Sequence, residues 1–233
     1  MNTNNKTTAR EILPFEDIKR PAVSVNVLIF SLYDNKLQVI LTERHLDPFK
    51  GNWNIPGAII YVDESLEKAA KRVLHERIGL NDVYLEQLYT FGEPKRDPRG
   101  RVVSITYFAL VPYENIEHAN SLKDVNVKMA DVRNLPENLA FDHKEIIDYG
   151  FERVKNKLGY STIAKDLLPE TFTLSNLQKV YEVILGEKMD KRNFRKRVAS
   201  LDLLKPTGKA YREGNHRPAA LFEFKSRKLI IFD

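Results

Sequence analysis

The chain has 233 residues, 42% hydrophobic and 30% charged, and contains no cysteine. This size and composition are typical of one large or two small globular domains. The lack of cysteine excludes disulfides, cysteine-ligated zinc and thiol nucleophiles, and no apolar run is long enough for a membrane helix. The first residues lack the apolar core of a signal peptide, so we expect a cytoplasmic protein without membrane contact.

Positive charge is concentrated in the last quarter of the chain. Residues 171–233 contain 14 of the 37 lysine and arginine residues but only 7 of the 32 acidic ones, although the net charge of the whole chain is +5. This asymmetry indicates a segment that faces nucleic acid. A solvated basic surface would give the same count and is the alternative.

Strand-like and helix-like patterns follow one another through the first two thirds of the sequence. Residues 1–20 are polar and unpatterned and predict a flexible arm. AVSVNVLIFSLY and LQVILTE, joined by the turn DNK, predict a β-hairpin. RHLDPFKGNWNIPGAII predicts a loop ending in a short strand, and ESLEKAAKRVLHERIGL a helix, because its apolar residues recur at helical spacing.

The same unit then continues to residue 158. VYLEQLYTFGE, RVVSITYFALVPYE and VNVKMADVRNLP predict three more strands, and DHKEIIDYGFERVKNKL predicts a closing amphipathic helix. The expected fold over residues 21–158 is an α/β/α sandwich with a mixed sheet, in an α+β protein. Its sequence has no glycine-rich loop of the dinucleotide or P-loop kind.

A smaller unit of a different kind follows. Residues 159–170 predict a linker, and residues 171–233 predict helix, turn, helix and a hairpin of two short strands. Thr173 and Gly186 are candidates for the start and stop of the first helix, and Asp190 is a candidate N-cap for the second. This order of elements is that of a winged helix-turn-helix.

The second helix of this unit separates into two faces when residues are placed roughly 100° apart. Phe194, Val198 and Leu201 fall on one side and are expected to pack on the first helix. Arg192 and Lys196 point to the opposite side, with Asn193 and Arg195 on the two flanks, and these side chains can bind bases or phosphates. Lys191, at the start of the helix, is a further DNA-binding candidate. Arg197 lies near the edge of the apolar side, where we expect it to contact a phosphate or a structural carboxylate.

The hairpin that follows is also basic. Lys209, Arg212, His216 and Arg217 crowd a short segment, whose tip is expected to reach backbone phosphate or the minor groove. Together with the helical pair, this hairpin favours binding of double-stranded DNA. The alternatives are a basic helix that only faces water and a winged helix that binds protein.

The stretch NIPGAIIYVDESLEKAAKRVLHERIGL resembles the Nudix box, the loop–helix–loop of the Nudix hydrolases. The family pattern is glycine, five residues, glutamate, seven residues, then Arg-Glu-apolar-any-Glu-Glu-any-Gly-apolar. With Gly79 and Leu80 aligned, the pattern is matched at Glu64, Arg72, Leu74 and Glu76. It is not matched at Ala58, Val73 and Arg77.

The mismatches affect the metal chemistry that the resemblance implies. Nudix hydrolases use Mg²⁺, which prefers oxygen ligands and usually a pair of carboxylates. The edge of this helix that would hold the ion offers Val73, Glu76 and Arg77, of which only the glutamate is a ligand. Because an arginine stays protonated, Arg77 is a candidate to occupy the position of the metal and bind a phosphate or a neighbouring acid.

The matched residues suggest a retained scaffold. We expect Glu64 and Arg72 to brace the loop against the helix, and we expect hydrolysis to be lost. Glu67 and Asp63 are the residues that could supply a replacement ligand. If they do so, the alternative is an active Mg²⁺-dependent hydrolase of ADP-ribose or a related nucleoside diphosphate compound, with an accessory basic domain; otherwise no cofactor is expected.

A degenerate Nudix box followed by a winged helix resembles the Nudix-related transcriptional regulators of bacteria. The resemblance also rests on RDPRGRVVSITYFAL, AFDHKEII, FTLSNLQKVYEVILG and DKRNFRKRVASLDLL. It implies a homodimeric repressor or activator that binds a palindromic operator, with a Nudix-like domain that senses a small molecule without cleaving it. The effectors known for this family are ADP-ribose and pentose sugars.

The candidate effector-binding residues are mostly arginines, which suit a phosphate or diphosphate, and a tryptophan that could stack on a ring or sugar. They are Arg44, Trp53, Arg96, Asp97, Arg99, Arg101 and Asp142, with His143 as a further candidate. Turn arginines are often only solvated, and a single tryptophan is often part of the core. A polar pocket without a metal suits a sugar as well as a nucleotide, and we favour the pentose slightly.

Overall fold

The computed structural model describes most of the chain in five stretches. In them, ten β-strands and five α-helices form two units. No helix within these stretches is long and apolar enough to cross a membrane. The predicted flexible arm lies outside them, apart from its last residue. The described stretches are residues 20–81, 83–119, 126–212, 218–226 and 228–232.

A seven-stranded mixed sheet forms the centre of the larger unit. Its strands are β1 (Ala22–Tyr33), β2 (Lys36–Glu43), β3 (Trp53–Asn54), β4 (Gly57–Ile59), β5 (Glu86–Phe91), β6 (Val102–Leu110) and β7 (Val127–Asp131). The main path runs β3-β2-β1-β6-β5, while β4 pairs with β1 and β7 with β2. β1 and β6 are parallel, and the other described pairs are antiparallel.

Helices cover both faces of this sheet. They are α1 (Leu66–Ile78), α2 (Tyr113–Ala119) and α3 (His143–Leu158). α1 packs in the core on one face, and α3 packs in the core on the other. This arrangement confirms the predicted α/β/α sandwich with a mixed sheet.

The position of β1 in the middle of the sheet explains why its sequence is almost continuously apolar. Val25, Val27 and Ile29 pack in the core that contains α1, whereas Leu28 and Phe30 pack in the core that contains α3. A strand covered on both faces needs apolar residues at successive positions. The strand therefore fixes the two helical layers on opposite sides.

The helix α2 corrects the expectation that a strand continues to residue 114. The strand β6 ends at Leu110, and Pro112 stands directly before the helix. Proline has no N–H group for a strand ladder, but its backbone suits the start of a helix.

The smaller unit is a winged helix, as predicted. Its elements are β8 (Phe172–Thr173), α4 (Leu174–Leu185), α5 (Lys191–Ser200), β9 (Leu204–Tyr211) and β10 (Ala219–Phe224), with the strands in the order β8-β10-β9. Thr173 caps α4 by accepting a hydrogen bond from the Asn176 N–H, and Gly186 ends the helix at φ 82°. Asp190 caps α5 through the Asn193 N–H. These caps confirm the predicted helix boundaries.

The segment between the units, predicted as a linker, is packed. Within residues 159–170 a 3₁₀ helix, Ile163–Leu167, buries Ile163, Ala164 and Leu167. These side chains belong to the same core cluster as residues of α3 and α4. The two units therefore share a continuous apolar core.

Candidate effector and DNA-binding sites

The loop and helix of the Nudix-like box are joined by one charged pair. Arg72 donates from Nε to Glu64 Oε2 over 3.0 Å and from Nη2 to the Ile59 carbonyl over 3.2 Å. Glu64 also accepts from the Tyr61 N–H over 2.8 Å. The Arg72 guanidinium holds the pKa of the Glu64 carboxyl below its usual range, so this carboxylate is a structural brace.

The helix edge next to this brace has few metal ligands. Val73 is 1% exposed and lies in the core; Glu76 is exposed, with Oε2 3.5 Å from Arg72 Nη1. Arg77 is exposed, and Glu67 pairs with Lys71. Across the described stretches, no three histidine, aspartate or glutamate side chains converge as metal ligands would. The donors present at this edge therefore do not fit Mg²⁺, which requires several oxygen ligands.

A second network brings several predicted effector-binding residues together at the start of α3. Arg96 donates from Nε to Asp142 Oδ2 over 2.7 Å and from Nη2 to Asp142 Oδ1 over 2.6 Å. The two side chains are only 4% and 15% exposed. A two-pronged arginine–carboxylate pair of this kind is strong and fixes the orientation of both groups.

A second arginine–aspartate pair lies in the same loop. The buried carboxylate of Asp97 accepts from Arg99 Nε over 3.0 Å, from Nη2 over 2.7 Å and from the Arg99 backbone N–H over 3.0 Å. These bonds lower the pKa of Asp97 below its usual range. The Arg99 side chain remains 52% exposed, so its guanidinium is held in place while part of it is open to a ligand.

Two guanidinium groups lie close to the ring of Phe141. The Arg44 guanidinium carbon is 4.7 Å from the centre of this ring, and that of Arg99 is 5.6 Å away. Arg44 is fixed by the carbonyl groups of Pro48, at 2.9 Å, and Leu46, at 3.1 Å. Burial lowers the pKa of Arg44, and the nearby Arg99 lowers it further, while Asp97 and Asp47 oppose the shift.

The backbone at this point is strained. Phe141 has φ 55° and Phe49, whose ring lies 4.9 Å from that of Phe141, has φ 68°. For bulky residues this left-handed region costs about 1–3 kcal/mol, and such strain is concentrated at functional sites. Both aromatic residues were absent from the sequence-based candidates, because no glycine or asparagine marks their positive φ angles.

His143 follows in the same network and is neutral. It is 4% exposed, and its Nδ1 accepts a hydrogen bond from the Ile55 N–H over 3.0 Å. Burial lowers the pKa of His143 to about 3, with Arg96 and Arg44 contributing further. The remaining proton is therefore on Nε2, and the ring connects the first turn of α3 to the loop before β4.

Two predicted effector-binding residues make other contacts. Trp53 is half-buried and packs against the core that contains α3, with Lys128 Nζ 5.2 Å from its ring. Arg101 donates to the Gly92 carbonyl. The structure thus assembles five of the seven predicted residues around Phe141: Arg44, Arg96, Asp97, Arg99 and Asp142.

A cavity of about 640 Å³ adjoins this arginine cluster. Phe141 forms part of its wall, together with Arg133, Lys144 and Phe151. A volume of this size lies within the range of small-molecule sites. A ligand that contacts Phe141 therefore has room to extend toward Arg133 and Phe151.

The predicted DNA-binding helix α5 has the two faces expected from its sequence. Phe194 is buried with its ring centre 5.5 Å from that of Tyr181 on α4, and Val198 is half-buried. The other face is exposed along its length and presents Lys191, Arg192, Asn193, Arg195 and Lys196. Within the described residues, no ion pair engages any cation of this face.

The remaining basic candidates lie around this helix. Arg197 donates from Nη2 to the Gly159 carbonyl over 3.1 Å, at the end of α3; its partner in the structure is therefore a backbone group. Lys209 and Arg212 are exposed on and after β9. His216 and Arg217 lie outside the described residues.

Comparisons with known proteins agree with this division. The model of the NUDIX domain family matches residues 23–149, and that of the NrtR DNA-binding winged helix domain matches residues 164–224. The chain is 36% identical over 214 residues to the ADPR responsive transcriptional repressor NtrR of Acinetobacter baylyi, covering 89% of this chain and 84% of that protein.

Two solved structures extend the comparison. Shewanella oneidensis NrtR in complex with a 27mer DNA is 38% identical, with a TM-score of 0.78 over 87% of this chain and 93% of that one. The NUDIX domain of the same protein in complex with ADP ribose is 34% identical, with a TM-score of 0.52 over 61% of this chain and 94% of that one.

Proposed function

Because the chain belongs to the Nudix-related transcriptional regulators, which join a Nudix domain to an NrtR-type winged helix, we propose that it is a repressor whose DNA binding is controlled by ADP-ribose. The arginine cluster around Phe141 is the effector site, and α5 is the recognition helix. The repressor acts as a homodimer, and each protomer binds one half of a palindromic operator.

The charge of the cluster carries the choice of effector. The guanidinium groups of Arg44 and Arg99 lie 4.7 Å and 5.6 Å from the centre of the Phe141 ring, and Asp97 holds the partly exposed Arg99 in place. Paired guanidinium groups recognise phosphate oxygens, and an aromatic ring stacks on a base or sugar. ADP-ribose has both features, whereas a free pentose has no charge to match two arginines. This observation favours ADP-ribose over the pentose that the sequence slightly favoured.

DNA binding is supported by the exposed cations on the outer face of α5, which make no ion pair within the described residues. In the major groove, Arg192 and Asn193 contact base edges, and Lys196 contacts phosphate. Lys209 on β9 and Arg212 directly after it are exposed and reach the adjacent backbone.

Binding without cleavage follows from the residues of the degenerate box. Val73 is buried and Arg77 carries a positive charge where a hydrolase needs carboxylates, so Glu76 is the one carboxylate at these three box positions. The fixed charge of Arg77 next to it opposes the binding of a second cation such as Mg²⁺. The domain therefore retains ADP-ribose as a signal.

The test is a DNA-binding assay on the full-length protein with the promoter of its own operon. Fluorescence anisotropy is measured alone and with ADP-ribose, arabinose or xylose. We expect binding that is weakened by ADP-ribose and unchanged by either sugar. No binding to this or any neighbouring promoter, or release by a pentose and not by ADP-ribose, contradicts the proposal.

A matched pair of variants distinguishes DNA recognition from a protein-binding winged helix. Arg192→Ala with Lys196→Ala is expected to abolish promoter binding, at about 1–3 kcal/mol per specific contact. Lys71→Ala, on the exposed face of α1, is the control and is expected to bind as the wild type does. Unchanged binding by the double variant contradicts the assignment of α5.

A further inference from the structure

Arg133 connects the two units of the chain. It lies in the loop after β7, and its Nη2 donates to the Ile184 carbonyl in the last turn of α4 over 3.1 Å. Its guanidinium carbon lies 5.6 Å from the centre of the Phe151 ring on α3. One side chain of the larger unit, which we call the ligand-binding unit, thus contacts both α3 and helix α4 of the winged helix.

The end of α4 is closely fitted to this guanidinium. A Cβ atom at Gly186 would lie 2.9 Å from Arg133 Nη2, too close for an ordinary contact. Carbonyl groups in the last turn of a helix lack partners within the helix, and a cation there also interacts favourably with the helix dipole. Arg133 therefore supplies both a hydrogen bond and a charge to the C-terminus of α4.

The same residue borders the candidate effector site. Arg133, Phe141 and Phe151 all line the cavity of about 640 Å³. The guanidinium groups of Arg44 and Arg99 both lie close to the centre of the Phe141 ring, at 4.7 Å and 5.6 Å. An anionic ligand that binds at the arginine cluster and extends into the cavity comes within reach of the Arg133 guanidinium, which can then exchange a neutral carbonyl for a charged oxygen.

From the end of α4 the connection continues to the recognition helix. Gln178 Nε2 donates to the Met189 carbonyl over 2.9 Å, and Glu182 Oε1 accepts from the Met189 N–H over 3.0 Å. Met189 stands directly before Asp190, the N-cap of α5. The turn that sets the direction of α5 is therefore hydrogen-bonded to the last two turns of α4.

We propose that Arg133 is the residue through which effector binding changes DNA binding. Without effector, Arg133 holds the C-terminus of α4 and keeps α5 in the orientation that fits DNA. The diphosphate of the effector draws the guanidinium away from the Ile184 carbonyl, and α4 and α5 lose this support. This inference rests on the proposed function, because it needs an effector that weakens DNA binding.

The experiment measures how strongly ADP-ribose changes the affinity for DNA, and not the affinity for DNA alone. The Kd for the promoter fragment that the wild type binds is determined by anisotropy without ADP-ribose and at saturating ADP-ribose, and the ratio of the two values is compared among full-length variants. Saturation removes any effect of a change in ADP-ribose affinity. Allosteric ratios are typically about 5–150-fold. Arg133→Met keeps an apolar chain against Phe151 but removes the donor, and its ratio is expected to fall close to 1.

Arg153→Met is the matched control. Arg153 also donates to a carbonyl, that of Leu88 over 3.4 Å, and lies 5.9 Å from the Tyr149 ring, but both partners belong to the ligand-binding unit. Its ratio is expected to equal that of the wild type. Thermal unfolding verifies that each variant is folded, and Arg133→Leu, which also removes the charge and the donor, replaces Arg133→Met if the latter is not.

The outcomes separate the inference from the function on which it rests. A wild-type protein that does not respond to ADP-ribose refutes the proposed function, and the role of Arg133 with it. A responsive wild type with a folded Arg133 variant of unchanged ratio refutes the role of Arg133 alone. Equal loss of coupling in the Arg133 and Arg153 variants also refutes it, because the effect then does not depend on the contact between the two units.

Discussion

The two arginine-rich regions of this protein differ in whether their cations have partners within the chain. Around Phe141, Arg96 and Arg99 are each paired with an aspartate, and Arg44 is bound to two carbonyl groups. On the outer face of α5, the cations are exposed and have no ion-pair partner in the described structure. The first region is held by partners within the chain, whereas the second leaves its charges exposed.

This difference reflects the cost of burying charge. A buried cation needs a partner, because the lost hydration is not otherwise replaced. An exposed cation keeps its hydration, and release of the counterions condensed on DNA then favours binding. A small effector gains from preorganisation, while a long polyanion is bound by many weak contacts. Substitutions in the first region are therefore expected to affect folding, and those in the second DNA binding alone.

The largest expected effect is on the buried pair. Arg96→Ala leaves the Asp142 carboxylate without its partner at a site where both side chains are at most 15% exposed. Removal of one member of a buried ion pair costs about 3–5 kcal/mol, and we expect that loss in the free energy of unfolding, measured by urea denaturation. Lys144→Ala, which breaks the exposed pair with Asp148, is the control and is expected to cost less than about 1 kcal/mol. Equal losses in both variants contradict the comparison.

A pH titration of stability tests the same region through His143. Its pKa is about 3 in the folded chain, whereas an unfolded histidine titrates near about 6.5. Below that pH the unfolded chain binds a proton that the folded chain does not, so stability falls as the pH falls. Between pH 8 and pH 5 this histidine should lower the free energy of unfolding by about 2 kcal/mol.

His143→Asn is the control for this titration. The asparagine carbonyl can accept the Ile55 N–H in place of Nδ1 but does not titrate. We expect the variant to lose most of the pH dependence in this window, measured by denaturation at each pH. The same slope in variant and wild type would assign the effect to other groups.

The smallest effect on folding is expected on α5. Lys196→Gln removes one exposed cation, so the free energy of unfolding should change by less than about 0.5 kcal/mol. Promoter affinity should fall, and the slope of log affinity against log salt concentration should decrease by about 1. An unchanged salt slope with normal stability would exclude a phosphate contact at this residue.

The sequence predicted the fold where the signal is local. A β-rich apolar run identified β1, hydrophobic periodicity identified α3, and the caps at Thr173 and Asp190 identified the two helices of the winged unit. The strand expected up to residue 114 was wrong, because the β-favouring run VPYE contains a proline that starts a helix instead. Short-range patterns were thus sufficient to predict the architecture, and one residue, Pro112, accounts for the wrong strand boundary.

The candidate site was predictable only in part. Arg96 and Asp142 are 46 residues apart, and nothing in the sequence pairs them. Phe49 and Phe141 have positive φ angles without a glycine, so their approach to the arginines depends on tertiary structure. The contact of Arg197 with the Gly159 carbonyl likewise depends on how the two units pack.

The most direct test of the whole account is the fate of ADP-ribose on the full-length protein. Calorimetric titrations are performed in EDTA and in Mg²⁺, and the ligand is then recovered and analysed by anion-exchange chromatography. We predict the same affinity in both buffers and intact ADP-ribose after incubation. Binding that requires Mg²⁺, or conversion of the ligand to AMP and ribose 5-phosphate, would show that the box still supports hydrolysis and would contradict the account.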